Sequence, residues 1–246
     1  MSEELLISVI NNETRVGVVS NGLLQEVFLE RSSSRSTVGN IYKGKVRRIL
    51  PGIQSAFVDI GETRSAFIHV SDLIGPHEVF ESKLDSEALS ITDLVRDGQD
   101  LLVQVTKEAI NKKGARITSN LSIASRFLVF LPNNSHIGIS QKIDNEPERS
   151  RLQDIVLNVS LEHEGFIVRT AAEGASCDEI VKDIGHLRAR WNNIQEDVVS
   201  APSGSLIYED LPLPVRVMRD IINSETMKIL FDHQETYETM NRFLAI

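Results

Sequence analysis

Between residues 39 and 73 the chain reads GNIYKGKVRRILPGIQSAFVDIGETRSAFIHVSDL, a run in which glycine turns, aromatic residues and clustered positive charge fall at strand spacing. Residues 45–50 end at Pro51-Gly52, residues 56–60 end at Gly61, and a third strand pattern, 65–70, follows directly. After a polar stretch, residues 100–107 alternate apolar and polar and 115–118 add one more short segment. About five short strands within roughly 80 residues suit a small closed barrel of the oligonucleotide-binding type.

On such a barrel Phe57 and Phe67 face outward from neighbouring strands, where unpaired bases can stack on them. The alternative, that both rings belong to the barrel core, is open to any pair of strand phenylalanines. The charge around them bears on the choice. Residues 31–58 contain Arg31, Arg35, Lys43, Lys45, Arg47 and Arg48 and no carboxylate, although the whole chain has a formal net charge of −9. Phosphate neutralisation needs a local positive field rather than a basic protein, so such a patch is compatible with RNA binding. A solvated charged face is the other reading. Lys112, Lys113 and Arg116 add cations around Gly114 at the turn after the fourth strand.

A second candidate site is Arg169-Thr170. A strand ending in an arginine and a hydroxyl, followed by Ala171-Ala172-Glu173-Gly174, can offer a bidentate cation and two short-range donors to one phosphate. An exposed arginine paired with Glu173 is the bland alternative.

The remaining residues narrow the chemistry. One cysteine, Cys177, excludes a disulfide framework and a cysteine-based zinc site within one chain. His69 suits packing or hydrogen bonding, and His77, His136, His163, His186 and His233 lack metal-site spacing. Asp59 and Asp72 fit turn chemistry. Glycine-rich nucleotide loops and Ser/His/Asp constellations are missing. With no basic-then-apolar leader and no apolar stretch near 18 residues, a cytoplasmic protein without a membrane span is expected.

Coarse organisation follows from periodicity. Residues 5–10, 14–19 and 23–29 read as strands, the last two joined by Asn21-Gly22, a hairpin signal. Three strands are too few to stand alone, so a partner later in the chain is expected. The serine-rich run 31–37 leads to the barrel. Beyond 121 come strands at 127–131 and 165–170 and helices at 146–159 and 177–196. In the second helix Ser176 and Asp178 are candidate caps, and Ile180, Ile184, Leu187, Trp191 and Ile194 keep helical spacing, which makes Trp191 a core residue. After 201–204, a strand at 206–211 opens a stretch that continues with helix 215–222, a short strand near 229–230 and a helix to 243, and this stretch completes the N-terminal strands.

Lys43-Gly44-Lys45-Val46, Val58-Asp59-Ile60-Gly61, residues 66–73 and Asp97-Gly98-Gln99 resemble the S1-type RNA-binding domain. More narrowly, residues 39–44, 50–61 and Phe166-Ile167-Val168-Arg169-Thr170-Ala171 resemble the ribonuclease E/G family, over nearly the whole chain. The resemblance implies a multi-domain α+β protein: a five-stranded S1-type barrel (36–120) and an α/β 5′-sensor region (121–214), inserted in a ribonuclease-H-like subdomain formed by 1–35 and 215–246. It implies single-stranded RNA as partner, bound through Phe57, Phe67, Lys113, Lys43, Lys45 and Arg47. It also implies a 5′-monophosphate pocket built from Arg169, Thr170, the Val129 backbone amide and Ser125, the last standing where some members have glycine.

Family members hydrolyse single-stranded RNA in rRNA and mRNA processing and decay, with Mg2+ on an aspartate pair, and a cysteine-pair Zn2+ link joins two protomers. Neither set of metal ligands can be assigned to residues 1–246. The expectation is therefore the RNA-binding half of an endoribonuclease, homo-oligomeric at full length and without isolated activity. A non-catalytic RNA-binding or scaffold protein is the alternative, and an acidic surface that docks proteins is a third reading.

Overall fold

The computed structural model describes residues 3–33, 35–73, 90–111, 113–222 and 226–244. His77 and Lys112 lie outside them. The chain begins with a meander, β1 (Glu3–Ile10), β2 (Glu13–Ser20) and β3 (Leu23–Arg31). Asn21 and Gly22 both take positive φ, 51° and 78°, the turn geometry that an Asn-Gly pair favours and that matches the twist of the strands it joins.

Five strands then close on themselves: β4 (Ile41–Leu50), β5 (Ser55–Asp59), β6 (Ala66–His69), β7 (Asp100–Lys107) and β8 (Arg116–Thr118). The order β4-β5-β6-β8-β7 returns to β4 through the β4–β7 pairing, and β6–β8 is the one parallel contact of the ring. Alternation sends Tyr42, Val46, Ala56, Val58, Ala66, Ile68, Val103, Val105 and Ile117 into the barrel core. Gly44 also points inward, where a Cβ would crowd Val58. Residues 65–70, read as strand throughout, divide into β6 and a single helical turn Val70–Leu73.

The next region is a four-stranded sheet backed by two helices. Its strands are β9 (Ile123–Ala124), β10 (Leu128–Pro132), β11 (Ile137–Ile139) and β12 (Glu164–Val168), in the order β11-β12-β10-β9. Helix α1 (Glu146–Val159) starts at Asn145, whose side chain accepts from the Glu148 amide. Helix α2 (Cys177–Ser200) starts with a capping box between Ser176 and Glu179. Ile180, Ile184, Leu187 and Ile194 lie in the core with Phe130 and Phe166, and Trp191 packs against it, its ring 6.5 Å from that of Phe130.

One strand sits differently from its sequence reading. Residues 206–211, expected with the N-terminal strands, supply β13 (Ser205–Tyr208), which pairs with Ile41–Lys43 at the start of β4. That half of β4 has β7 on one edge and β13 on the other, so the barrel and the 121–210 region share a sheet, and Ile41 belongs to the second region's core. Residues 37–210 accordingly form one compact unit.

The other compact unit is discontinuous, residues 1–36 with 211–246. It adds α3 (Leu213–Ile221), β14 (Thr226–Phe231) and α4 (Gln234–Leu244), with β14 running parallel to β1. Leu213 and Val217 pack on Leu5, Ile7, Val16 and Val18. The Glu30 carboxylate accepts from the Leu213 amide at 3.0 Å and pairs with Arg216, so a hairpin residue fixes the first turn of a helix some 180 positions later. The division between the two compact units lies at 210/211, ahead of that helix. Among the described residues no helix is long and apolar enough to cross a membrane.

Candidate nucleic-acid interface

Phe57 and Phe67 are register partners on β5 and β6, with ring centroids 6.1 Å apart at 67°. Both point away from the barrel core. Phe57 is 37% exposed and Phe67 half-buried, an edge-to-face pair that leaves ring surface open to solvent. Continuing the register places Arg48 beside Phe57 on β4, Arg116 beside Phe67 on β8, and Lys107 beside Arg116 on β7. Two rings therefore lie in one row between cations on either side.

Simple alternation would have put Arg47, two residues after Lys45, on this face. A bulge between Val46 and Arg48 shifts the register, and Arg48 takes the position opposite Phe57. Arg47 instead reaches Asp59, donating from Nε at 3.1 Å and Nη2 at 2.6 Å to one carboxylate oxygen. The Gly61 amide and then Arg47 hold the Asp59 carboxyl below its usual range. Arg116 is similarly paired with Asp72 at 2.9 Å.

Lys43 has a structural assignment. Its Nζ donates to the carbonyls of Val198 (3.0 Å) and Ala201 (2.8 Å) at the C-terminal end of α2, where a cation meets the negative end of the helix dipole. Placed there, the ammonium does not join the row. Lys45 is half-buried beside Asp59 on β4, and Lys113 is exposed in the turn after β7, bridged to Ile110. Gly114 follows because a Cβ there would strike the Ser65 carbonyl oxygen. His69 accepts from the Ser71 amide at 3.2 Å, with its ring nitrogen 2.8 Å from the Ser71 hydroxyl.

The second site forms where β12 ends. Nη1 of Arg169 donates to the Ser125 carbonyl at 2.7 Å, and its amide donates to the Phe127 carbonyl at 2.8 Å. Thr170 is exposed, its hydroxyl oxygen 3.0 Å from that of Ser140. The backbone donors expected here are used internally. The Ser125 amide bonds Leu128, and the amides of Ala172, Glu173 and Gly174 bond Arg169, Thr170 and Glu148. Because Arg169 N–H bonds Phe127 C=O, the β10–β12 alternation also turns the Val129 amide toward Ile167. What remains at this corner is a side-chain set: Arg169, Thr170 and Ser140. Glu148 and Arg151 of α1 brace it, Glu148 through the Gly174 amide and Arg151 through the Ala175 carbonyl.

Arg48, Arg116 and Ser140 are the residues that sequence reading missed. Arg48 and Arg116 stood within recognised basic runs, but a bulge and a parallel pairing decide their places. Ser140 has no sequence signal, since 30 residues separate it from Thr170.

Comparison with known proteins agrees on one family. A family model described as "Ribonuclease E/G family" matches residues 122–246. The chain is 45% identical over 242 residues to "Ribonuclease G" of Haemophilus influenzae, an alignment covering 98% of this chain and 49% of that protein. It is 44% identical over 248 residues to "Ribonuclease G" of Escherichia coli K12, covering 100% and 50%. Against "Ribonuclease E" of Nostoc sp. identity is 34% over 228 residues, covering 92% and 32%. The chain spans about half the length of the ribonuclease G relatives.

Proposed function

Because this chain belongs to the ribonuclease E/G family, we propose that it is the RNA-gripping part of a single-strand-specific endoribonuclease acting in RNA processing and decay. In this reading the barrel is of the S1 oligonucleotide-binding type, and the two-segment unit is the family's ribonuclease-H-like subdomain. Unpaired bases stack on Phe57 and Phe67 while Arg48, Arg116 and Lys113 take the phosphates on either side. The observation that carries the proposal is the in-register row of two outward rings between cations, because stacking accepts any base and the cations follow the backbone. Double-stranded RNA would not fit such a site, since its bases already stack on one another.

The Arg169–Thr170 corner is proposed to read a 5′-monophosphate. The Ser125 carbonyl fixes one arm of the guanidinium and so orients the planar fork, which matches the geometry of phosphate oxygens. The hydroxyls of Thr170 and Ser140 are rotatable and add donors that a 5′-hydroxyl end would use poorly. Hydrolysis in this family is expected to use Mg2+. Among the described residues no group of three or more His, Cys, Asp or Glu is placed to hold a metal ion. The chain's proposed share of the reaction is capture and orientation of RNA.

Fluorescence anisotropy with a labelled single-stranded RNA at fixed salt tests the central point. Phe57→Ala and Phe67→Ala are each expected to weaken binding by about 1–3 kcal/mol. Parental affinity in both variants would sink the stacking assignment.

A further inference from the structure

Asp183 is a carboxylate on the buried face of α2, 9% exposed. One of its oxygens accepts from the Ser125 hydroxyl at 2.5 Å and from the Phe127 amide at 3.1 Å. Burial pushes its carboxyl above the usual range, so the surroundings disfavour the charged form even with those two donors in place. A carboxylate kept in such a position needs a reason beyond packing, because an apolar residue of similar size would fill the space at lower desolvation cost.

The reason is visible one bond further on. The turn that Ser125 and Phe127 belong to supplies carbonyls that hold Arg169: those of Ser125 (2.7 Å) and Arg126 (3.4 Å) take Nη1 of the guanidinium, and that of Phe127 takes the Arg169 amide. The Ser125 hydroxyl oxygen also accepts from the Leu128 amide at 3.3 Å, and the Ser125 amide donates to the Leu128 carbonyl at 2.8 Å, which closes 125–128 into a tight turn. Backbone and side chain of Arg169 are thus both tied to a turn that Asp183 anchors to the helix. Charged and titratable groups near this turn include Arg126, whose guanidinium lies 5.1 Å from the Phe127 ring centroid, Glu179, which interacts with Arg126, His186 one turn along α2 from Asp183, and Arg169 itself.

We propose that Asp183 is a positioning residue for the 5′-phosphate pocket: by anchoring the 125–128 turn it sets the orientation of the Arg169 guanidinium. This rests on reading the Arg169–Thr170 corner as a monophosphate site. Asp183 touches no RNA and contributes nothing to stacking on the barrel, so its loss is read in end discrimination and not in general affinity.

The test compares anisotropy of one labelled single-stranded RNA carrying a 5′-monophosphate or a 5′-hydroxyl, bound to parent, Asp183→Ala, Asp183→Asn and Ser125→Ala, each checked for folding by circular dichroism and thermal melting. Asp183→Ala is expected to lower the monophosphate preference by about tenfold, the worth of a charge-assisted hydrogen bond, while 5′-hydroxyl binding stays at the parental level. Asp183→Asn keeps a carbonyl oxygen for both donors and is expected to retain the preference, a rescue that a charge effect on RNA would not give. Ser125→Ala removes the hydroxyl bridge but leaves the carbonyl, and the preference falls here too. A parental preference in a folded Asp183→Ala, or in Ser125→Ala if that variant alone folds, overturns the positioning role. A parent with no preference between the two ends overturns the pocket reading itself, a result that needs no variant to recognise.

Discussion

Glu148 shows how single residues stiffen the Arg169–Thr170 corner. Its carboxyl is held at about 2, first by the Arg151 guanidinium and next by the Gly174 amide. Its folded value lies below its unfolded one, so its contribution to stability is full above the ordinary glutamate range and is lost as pH falls toward 2. Thermal melts from pH 5 to pH 2.5 should therefore show the parent losing stability more steeply than Glu148→Gln; parallel curves would mean the pair does nothing for the fold. Gly61 gives a backbone counterpart. It has a φ of +82°, and a Cβ there would collide with the Gly204 carbonyl. Gly61→Ala combines a left-handed strain with a backbone clash and is expected to lower stability by about 1–3 kcal/mol, measurable by urea denaturation. An unchanged midpoint would show that the turn can relax away from β13.

At the scale of elements, Lys43 and Arg48 separate two uses of positive charge on one strand. Lys43→Met keeps the aliphatic stem and removes the ammonium, leaving the Val198 and Ala201 carbonyls without their cation; a loss of about 1 kcal/mol with parental RNA affinity is expected. Arg48→Ala should do the reverse, weakening RNA binding with little change in melting temperature. If both variants affect only RNA affinity, the capping role of Lys43 is wrong.

The sequence could not separate these two residues, although it showed much else. Turn signals at Asn21-Gly22 and Gly61, alternation along 100–107, and the cap and period of α2 were legible because each is a local rule acting over a few residues. The outward placement of Phe57 and Phe67 was expected of such a barrel, with the cations around them weighing against a core position. Hidden were features set by long-range partners: the bulge that exchanges Arg47 for Arg48, the seat of β13 on β4, and the internal use of the Ser125 and Val129 amides. Asp183 carried no signal either, since one aspartate within a helical pattern looks like any solvated charge until its face is known.

For the molecule as a whole, a net charge of −9 must be reconciled with the polyanionic ligand proposed for it. Charges separated by more than a Debye length, about 8 Å at physiological ionic strength, are largely screened, so distant carboxylates weigh little against cations touching the strand. What matters is the local field, and two cations in it are already partly neutralised: Arg47 by Asp59 and Arg116 by Asp72. Binding should then displace few counterions. With about four phosphates contacted, the slope of log K against log salt for a single strand is expected near −3. Arg48→Ala should make it shallower by about one contact's worth, whereas Phe57→Ala should lower affinity at every salt concentration and leave the slope alone. A slope near zero in the parent would mean that the cations around the rings do not meet the backbone. A steeper slope in Phe57→Ala would mean that the ring is shielding charge and does not stack bases.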